Sequence, residues 1–343
     1  MILLAYLDSK LIMGKILSSK YRYREINREE WKRYWPRISQ SNLMQSWEYG
    51  DAKADDGWRP IRYVFEKVDG QPVALAQLLV KTWSIFGGVA ILNRGPVLIE
   101  LDGAKIDDSA KLVFIKMLEK IAKSKRCWIL FLAPELRMHE ASVMLLKRIG
   151  LTPRKKPIAW GSSLVSLDGD EVDLLKKLNG KWRNLLRKSQ KNDLKIERAQ
   201  YTEASISGLI EFYEEAQRDV GFSGVLPSLL RSLWKRSNED FQFCQYFATE
   251  LDGSEVVGVL VSVTHGDTAT YLLGNTNFDG RKLNANYGML WEAIIDAKNA
   301  GCLWFDLGGV NENTPKGVAH FKSGLNGDNY QLIGNAISFL LFK

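Results

Sequence analysis

The sequence predicts an α/β protein of two tandem domains that repeat one unit of hairpin, further strand, helix and strand. Three observations predict it. At 343 residues the chain is long for a single hydrophobic core. The stretch Val64-Phe65-Glu66-Lys67-Val68-Asp69-Gly70-Gln71-Pro72-Val73-Ala74 parallels Phe247-Ala248-Thr249-Glu250-Leu251-Asp252-Gly253-Ser254-Glu255-Val256-Val257, and each reads as strand, Asp-Gly turn, strand. Downstream, Ala122-Lys123-Ser124-Lys125-Arg126-Cys127-Trp128 parallels Ala297-Lys298-Asn299-Ala300-Gly301-Cys302-Leu303, each a helix end entering a strand. One Asp-Gly match means little; two matches in the same order at similar separations describe a duplication. The halves have diverged: Arg94-Gly95-Pro96 follows the strands of the first, Gly274-Asn275-Thr276-Asn277 those of the second.

Residues 1–20 are expected to be an N-terminal extension. Their apolar run is interrupted by Asp8, Lys10 and Lys15, and no small-residue cleavage site follows, which argues against a signal peptide or a membrane span. No other apolar run is long enough to cross a bilayer. Hydrophobic residues make up 45% and charged residues 25%, the balance of an ordinary globular chain. Cys127, Cys244 and Cys302 lie far apart without C-x-x-C spacing. Neither a metal site nor a disulfide framework is expected, and a reducing cytoplasm is the expected setting.

The formal net charge of +7 is unevenly spread. Lys176, Lys177, Lys181, Arg183, Arg187, Lys188, Lys191 and Lys195 crowd into one segment, through which Leu174, Leu178, Trp182 and Leu185 recur at helical spacing. This predicts one helix over 174–192 with an apolar face and a densely basic one. That basic face is either solvated or a phosphate-contact surface.

Near the C-terminus, Leu290, Ala293, Ile294 and Ala297 predict an amphipathic helix. Leu303 to Leu307 is short, apolar and bounded by glycine, as a buried strand is. Gly308-Gly309 then permits a tight turn, and Lys322 is expected beside a second turn. A strand end, a glycine turn and one positioned cation can build a site for acyl transfer. His320, two residues before Lys322, is a candidate base or a structural histidine.

Four elements in order resemble those of the Fem family, aminoacyl-tRNA-dependent transferases that build peptidoglycan cross-bridges. They are Gln45-Ser46-Trp47-Glu48-Tyr49-Gly50-Asp51-Ala52-Lys53, the basic Gly180-Lys181-Trp182-Arg183-Asn184-Leu185-Leu186-Arg187-Lys188, Asp306-Leu307-Gly308-Gly309, and Phe321-Lys322-Ser323-Gly324. The resemblance covers about residues 40 to 335. It implies two tandem domains of the acetyltransferase-like (GNAT) fold, at 21–162 plus 328–343 and at 163–327, the C-terminal tail returning to the first.

The resemblance also implies roles. Lys322 matches the lysine proposed to stabilise the oxyanion, and Lys53 one that binds a substrate diphosphate. Trp47, Lys53, Arg218, Tyr287, Asp306, Gly308 and Gly309 become candidate substrate contacts, with Asp306 equally suited to capping the turn. Lys181, Arg183, Arg187, Lys188 and Lys191 become candidate contacts to tRNA. The donor would be aminoacyl-tRNA, with no cofactor and no metal, and the acceptor an amine, either a peptidoglycan-precursor peptide or another metabolite. A cytoplasmic monomer is expected. One departure stands out: the family pattern R-D-x-F-x-x-R is met here by Arg218-Asp219-Val220-Gly221-Phe222-Ser223-Gly224, without the second arginine. Two alternatives stay open. One is an acyl-CoA-dependent N-acyltransferase, although Arg281-Lys282-Leu283-Asn284-Ala285-Asn286 lacks the glycines of a pyrophosphate loop. The other is a non-catalytic tRNA- or RNA-binding relative.

Overall fold

The computed structural model describes residues 20–83, 87–100, 108–154, 159–192, 194–221, 224–251 and 255–340. Residues 1–19 of the expected extension, the Asp252-Gly253 turn and Phe222-Ser223 lie outside them. In chain order the first part runs β1 (Tyr21–Glu25), α1 (Arg28–Tyr34), α2 (Trp47–Asp55), β2 (Arg59–Lys67), β3 (Pro72–Thr82), β4 (Gly88–Gly95), β5 (Val97–Leu98), α3 (Asp108–Ser124), β6 (Cys127–Pro134) and α4 (Glu140–Arg148). The second runs β7 (Gly161–Ser166), α5 (Glu171–Lys177), α6 (Gly180–Lys191), β8 (Leu194–Arg198), α7 (Glu203–Val220), α8 (Pro227–Trp234), β9 (Phe241–Glu250), β10 (Val256–His265), β11 (Thr268–Thr276), α9 (Phe278–Lys282), α10 (Ala285–Asn299), β12 (Trp304–Asp306), α11 (Lys316–Ser323) and β13 (Asp328–Gln331). β14 (Ala336–Phe339) follows.

These elements form two units, one reaching Trp160 and resuming at Tyr330, the other spanning Gly161–Asn329. Among the described residues each sheet has seven strands, ordered β1-β2-β3-β4-β6-β14, with β5 beside β3, and β13-β7-β12-β11-β10-β9-β8. Each holds one internal parallel pair among antiparallel neighbours, β4 with β6 and β11 with β12. A parallel pair needs a crossover. α3 supplies it in the first unit and α10 in the second, and each helix buries its apolar face on its own sheet. Phe114, Ile115 and Leu118 pack with Leu78, Leu92 and Leu130. Met289, Leu290, Ala293 and Ile294 pack with Tyr246, Leu260 and Phe305.

The two parallel pairs differ in a way that matters for chemistry. β4 and β6 stay paired from Gly88 opposite Cys127 to Gly95 opposite Pro134, with register shifts at Gly88/Val89 and Asn93/Gly95. β11 and β12 are paired through Thr268–Thr270 and Trp304–Asp306 and then part. Strands that part strand their backbone groups, which must find other partners. In the first unit a comparable gap opens where β3 leaves β4 at Leu79 and takes up β5 at Leu75. Gln45 fills it. Its amide donates to Gln77 O at 3.2 Å and Asn93 O at 2.6 Å, and accepts from Gln77 N at 2.8 Å.

Two sequence expectations need correction. The basic segment is two helices, not one. Leu178 is extended, and the Asn179 side chain accepts from Lys181 N at 2.9 Å to begin α6 afresh. The break resets the helical phase, so Leu186 rather than Leu185 joins Trp182 on the buried face. Asn179→Ala should cost about 1 kcal/mol in chemical denaturation, the usual worth of an N-cap; an unchanged midpoint would show the cap idle. The predicted strand from Leu303 is also shorter. Leu303 is 61% exposed and pairing starts at Trp304.

Candidate active site

The second unit gathers its unusual chemistry where β11 and β12 part. Asp306 ends β12 with a buried carboxylate. That carboxylate accepts from Gly308 N at 2.8 Å and from the Ser162 hydroxyl of β7. Gly308 and Gly309 follow at φ 56° and 44°. A β-carbon at Gly308 would sit 2.9 Å from Tyr271 O, so both backbone handedness and space call for glycine there.

The turn carbonyls face Lys322. Its Nζ donates to Gly308 O at 2.5 Å and Gly309 O at 3.5 Å and lies 4.9 Å from the centre of the Tyr271 ring. The side chain arrives from the last turn of α11, where a second turn had been expected, and the residue is 6% exposed. Burial pulls the ammonium down to about 8, against the opposing pull of Asp306. Burial also pushes Tyr271 up, so that phenol stays neutral.

Aromatic rings pack on the helix that carries this lysine. Phe321 meets Tyr287 edge-on at 5.0 Å and stacks on Trp182 at 6.1 Å, while Trp182 and Tyr287 are 5.1 Å apart. Trp182 Nε1 donates to Phe321 O at 3.0 Å. A β-carbon at Gly324 would fall 2.5 Å from Trp182. The basic helix α6 is thereby fastened to the helix that carries Lys322. Ser189 of α6 also faces Gly288 of α10.

Of the residues singled out in the sequence, Lys322, Tyr287, Asp306, Gly308 and Gly309 fall in this one cluster. Trp47 and Lys53 belong to the first unit, on α2. Trp47 lies under the Arg62 guanidinium at 3.5 Å, and its carbonyl accepts from the same arginine, which also pairs with Asp51 at 2.6 Å. Lys53 is paired with Asp56. Arg218 is exposed in the last turn of α7. Arg231, the next arginine, binds Glu203 at 2.6 Å and Ser207 at 3.1 Å, at the opposite end of that helix.

His320 is exposed on α11. Lys181, Arg187, Lys188 and Lys191 are exposed along α6, whereas Arg183 is half-buried and donates to Leu175 O at 3.2 Å. Sequence reasoning missed Ser162 and Tyr271; an isolated serine and a strand tyrosine carry no local signal. Among the described residues no cluster of His, Cys, Asp or Glu could hold a metal. No described helix is long and apolar enough to cross a membrane.

Comparison with known proteins bears on the family and the fold. The model of the FemAB family matches residues 26–144 and 230–339. No curated protein matches the sequence. The fold is similar to the crystal structure of FemX, with a TM-score of 0.76 at 16% identity, covering 92% of this chain and 96% of that one. It is similar to a tandem GNAT protein from the clavulanic acid biosynthesis pathway, with a TM-score of 0.55 at 9% identity, covering 94% and 99%. It is also similar to the C-terminal domain of a putative lysylphosphatidylglycerol synthetase from Agrobacterium fabrum, with a TM-score of 0.53 at 12% identity, covering 89% and 92%. Two mixed sheets, each with its crossover helix and one parallel pair, are the tandem GNAT-like fold, and the chain that builds them belongs to the FemAB family of transferases.

Proposed function

We propose that this protein is an aminoacyltransferase that joins the aminoacyl group of an aminoacyl-tRNA to an amine, with Lys322 stabilising the oxyanion. The observation that carries the reading is the buried ammonium itself. An ammonium has three N–H donors. Two carbonyls of the turn meet it among the described residues, which leaves one donor for a substrate oxygen. Aimed in a dry site, such a donor acts most strongly on charge that develops in the transition state.

The chemistry needs little more. The ester is already activated, so the acceptor nitrogen attacks its carbonyl carbon directly. A C–N bond forms, the bond to the ribose oxygen breaks, the nitrogen gives up a proton and the ribose oxygen gains one. Placement of the two reactants supplies much of the remaining acceleration.

The basic helix favours tRNA over acyl-CoA as donor. It is fastened to α11 through Trp182, which puts a row of exposed cations beside the lysine's own helix. At the place of a pyrophosphate loop, Asn284 stands left-handed at φ 61° ahead of α10, and Asn192 donates to Leu283 O at 2.7 Å. Asparagines there obstruct the close backbone approach that glycines would permit. Lys181, Arg187 and Lys188 replaced together by alanine should weaken tRNA binding and flatten its dependence on salt, because each lost phosphate contact releases fewer counterions. Thermal melting should be unchanged, since these side chains lie off the buried face. Filter binding at several salt concentrations checks this, and an unchanged slope rejects the helix as the tRNA surface.

The proposed acceptor is an amine of a peptidoglycan-precursor peptide or another amine metabolite. A diphosphate at Lys53 would have to displace Asp56, and the missing second arginine leaves the nucleotide end of such a precursor less well held. No cofactor beyond the charged tRNA is proposed. The proposed working form is a cytoplasmic monomer. A mass-spectrometric search for products, with charged total tRNA and candidate amines against acetyl-CoA and the same amines, tests the reading. Amide formed only with charged tRNA upholds it. Amide formed from acetyl-CoA replaces it, and tRNA binding without any product points to a non-catalytic relative.

A further inference from the structure

We propose that Ser162 and Asp306 form a positioning pair that fixes the Gly308-Gly309 turn against the Lys322 ammonium. The inference rests on the oxyanion reading only for its kinetic consequence; its geometric part stands without it. Asp306 is 3% exposed and Ser162 1% exposed, and their side chains are hydrogen-bonded across two neighbouring strands. β12 and β7 are antiparallel here, with Asp306 opposite Leu164. A carboxylate buried to this degree is costly unless its oxygens are met. One oxygen of Asp306 takes both Ser162 Oγ and Gly308 N, which bends the chain back immediately after β12.

The bend is what turns the two glycine carbonyls toward Lys322. Glycine takes left-handed backbone freely but other conformations as well, so two successive glycines hold one turn only if they are anchored. Leu307 N is held on Ser163 O at 3.0 Å, so the start of the turn is tied to β7 by main chain as well as by the Asp306 side chain. Thr314 adds a second tie, its hydroxyl donating to Gly309 O at 3.0 Å. Without the carboxylate, Gly308 N loses its partner and the carbonyls lose their aim.

Asp306 also acts through charge. The titratable groups that face Lys322 are Asp306 from β12 and Tyr271 from β11, with Tyr213 of α7 near Tyr271. Burial raises both tyrosines, so they stay neutral. Asp306 is the group among them that opposes the downward pull of burial on the amine.

Two measurements test the pair. The first labels lysine with carbon-13 at Cε and follows Lys322 through a pH titration by NMR, assigned by its loss in Lys322→Met. In Asp306→Asn the Lys322 signal should titrate about one pH unit lower, as expected when a close opposite charge is removed. The second measures single-turnover transfer. Ser162→Ala should lower the rate about tenfold with donor KM unchanged, the signature of lost aim rather than lost binding. Ser162→Thr, which keeps the hydroxyl, should restore it. If Asp306→Asn fails to fold, Ser162→Ala with Ser162→Thr decides by the same titration, which should also move down in the alanine variant and return in the threonine one. A Lys322 titration identical in wild type and variants overturns the proposal. A lysine that shifts while transfer stays intact upholds the clamp and sinks the oxyanion role instead.

Discussion

Lys322→Met should lower single-turnover transfer by about a hundredfold or more, the usual loss when an oxyanion donor is removed. Substrate affinities should change far less, because the charge is met fully only in the transition state. Methionine keeps most of the stem, so packing against Tyr271 survives. The variant should also fold. Gly308 O loses its donor, at about 1–3 kcal/mol for a buried group left unmet, whereas Gly309 O keeps the Thr314 hydroxyl. Against this stands the burial of a cation whose titration falls from 10.5 to about 8, equivalent to about 3 kcal/mol at neutral pH. The two nearly offset.

The sign of that contribution can be measured. The folded lysine releases its proton before the unfolded one does, so the unfolded state binds more protons between about 8 and 10.5. Wild-type stability should rise across that window by an amount absent from the methionine variant. Turnover should move the other way and fall as pH climbs through about 8, as the ammonium is lost. Urea denaturation at pH 7.5 and 10, with rates at the same values, checks both. Near-normal turnover in Lys322→Met would make the lysine a plug for the parted strands and nothing more.

Gln45→Leu should remove about 3 kcal/mol or more of stability, since it leaves the buried N–H and C=O of Gln77 and the C=O of Asn93 without partners. Gln45 is 0% exposed, so those groups are buried with it. A loss of that size is a large part of what holds a domain together. The urea midpoint should fall with an unchanged slope, the mark of a stability effect without a change in the unfolded state. A loss below 1 kcal/mol would mean that β3 and β4 close the gap themselves.

Much of the fold was legible in the sequence, and for a plain reason. Asp-Gly turns and helix-to-strand junctions are local, and two copies in the same order reveal the duplication without any knowledge of contacts. The C-terminal lysine and glycine pair were legible in the same way. What stayed hidden depends on register. Nothing local tells that β11 and β12 part after Thr270, that Ser162 of a distant strand meets Asp306, or that Tyr271 faces the lysine. The apolar spacing through residues 174–192 suggested one helix because Leu178 continues the stripe; the Asn179 cap outweighed it. The N-terminal pattern around Gln45 and Trp47 was legible as a family pattern, but not the packing it makes with distant strands. Gln45 closes a sheet, and Trp47 holds Arg62.

The placement of β14 bears on how the chain is made. β6 finishes at Pro134, yet the strand that covers its outer edge begins at Ala336. At ordinary rates of synthesis the ribosome needs roughly 10–40 s to travel between them. Throughout that interval the nascent first sheet presents an unpaired edge bearing Phe131, which is still 38% exposed in the finished protein. Such an edge is a template for pairing with other chains. A nascent chain stalled before residue 336 is therefore the form most in need of a chaperone, whereas release of the last strand lets the edge close within the same molecule.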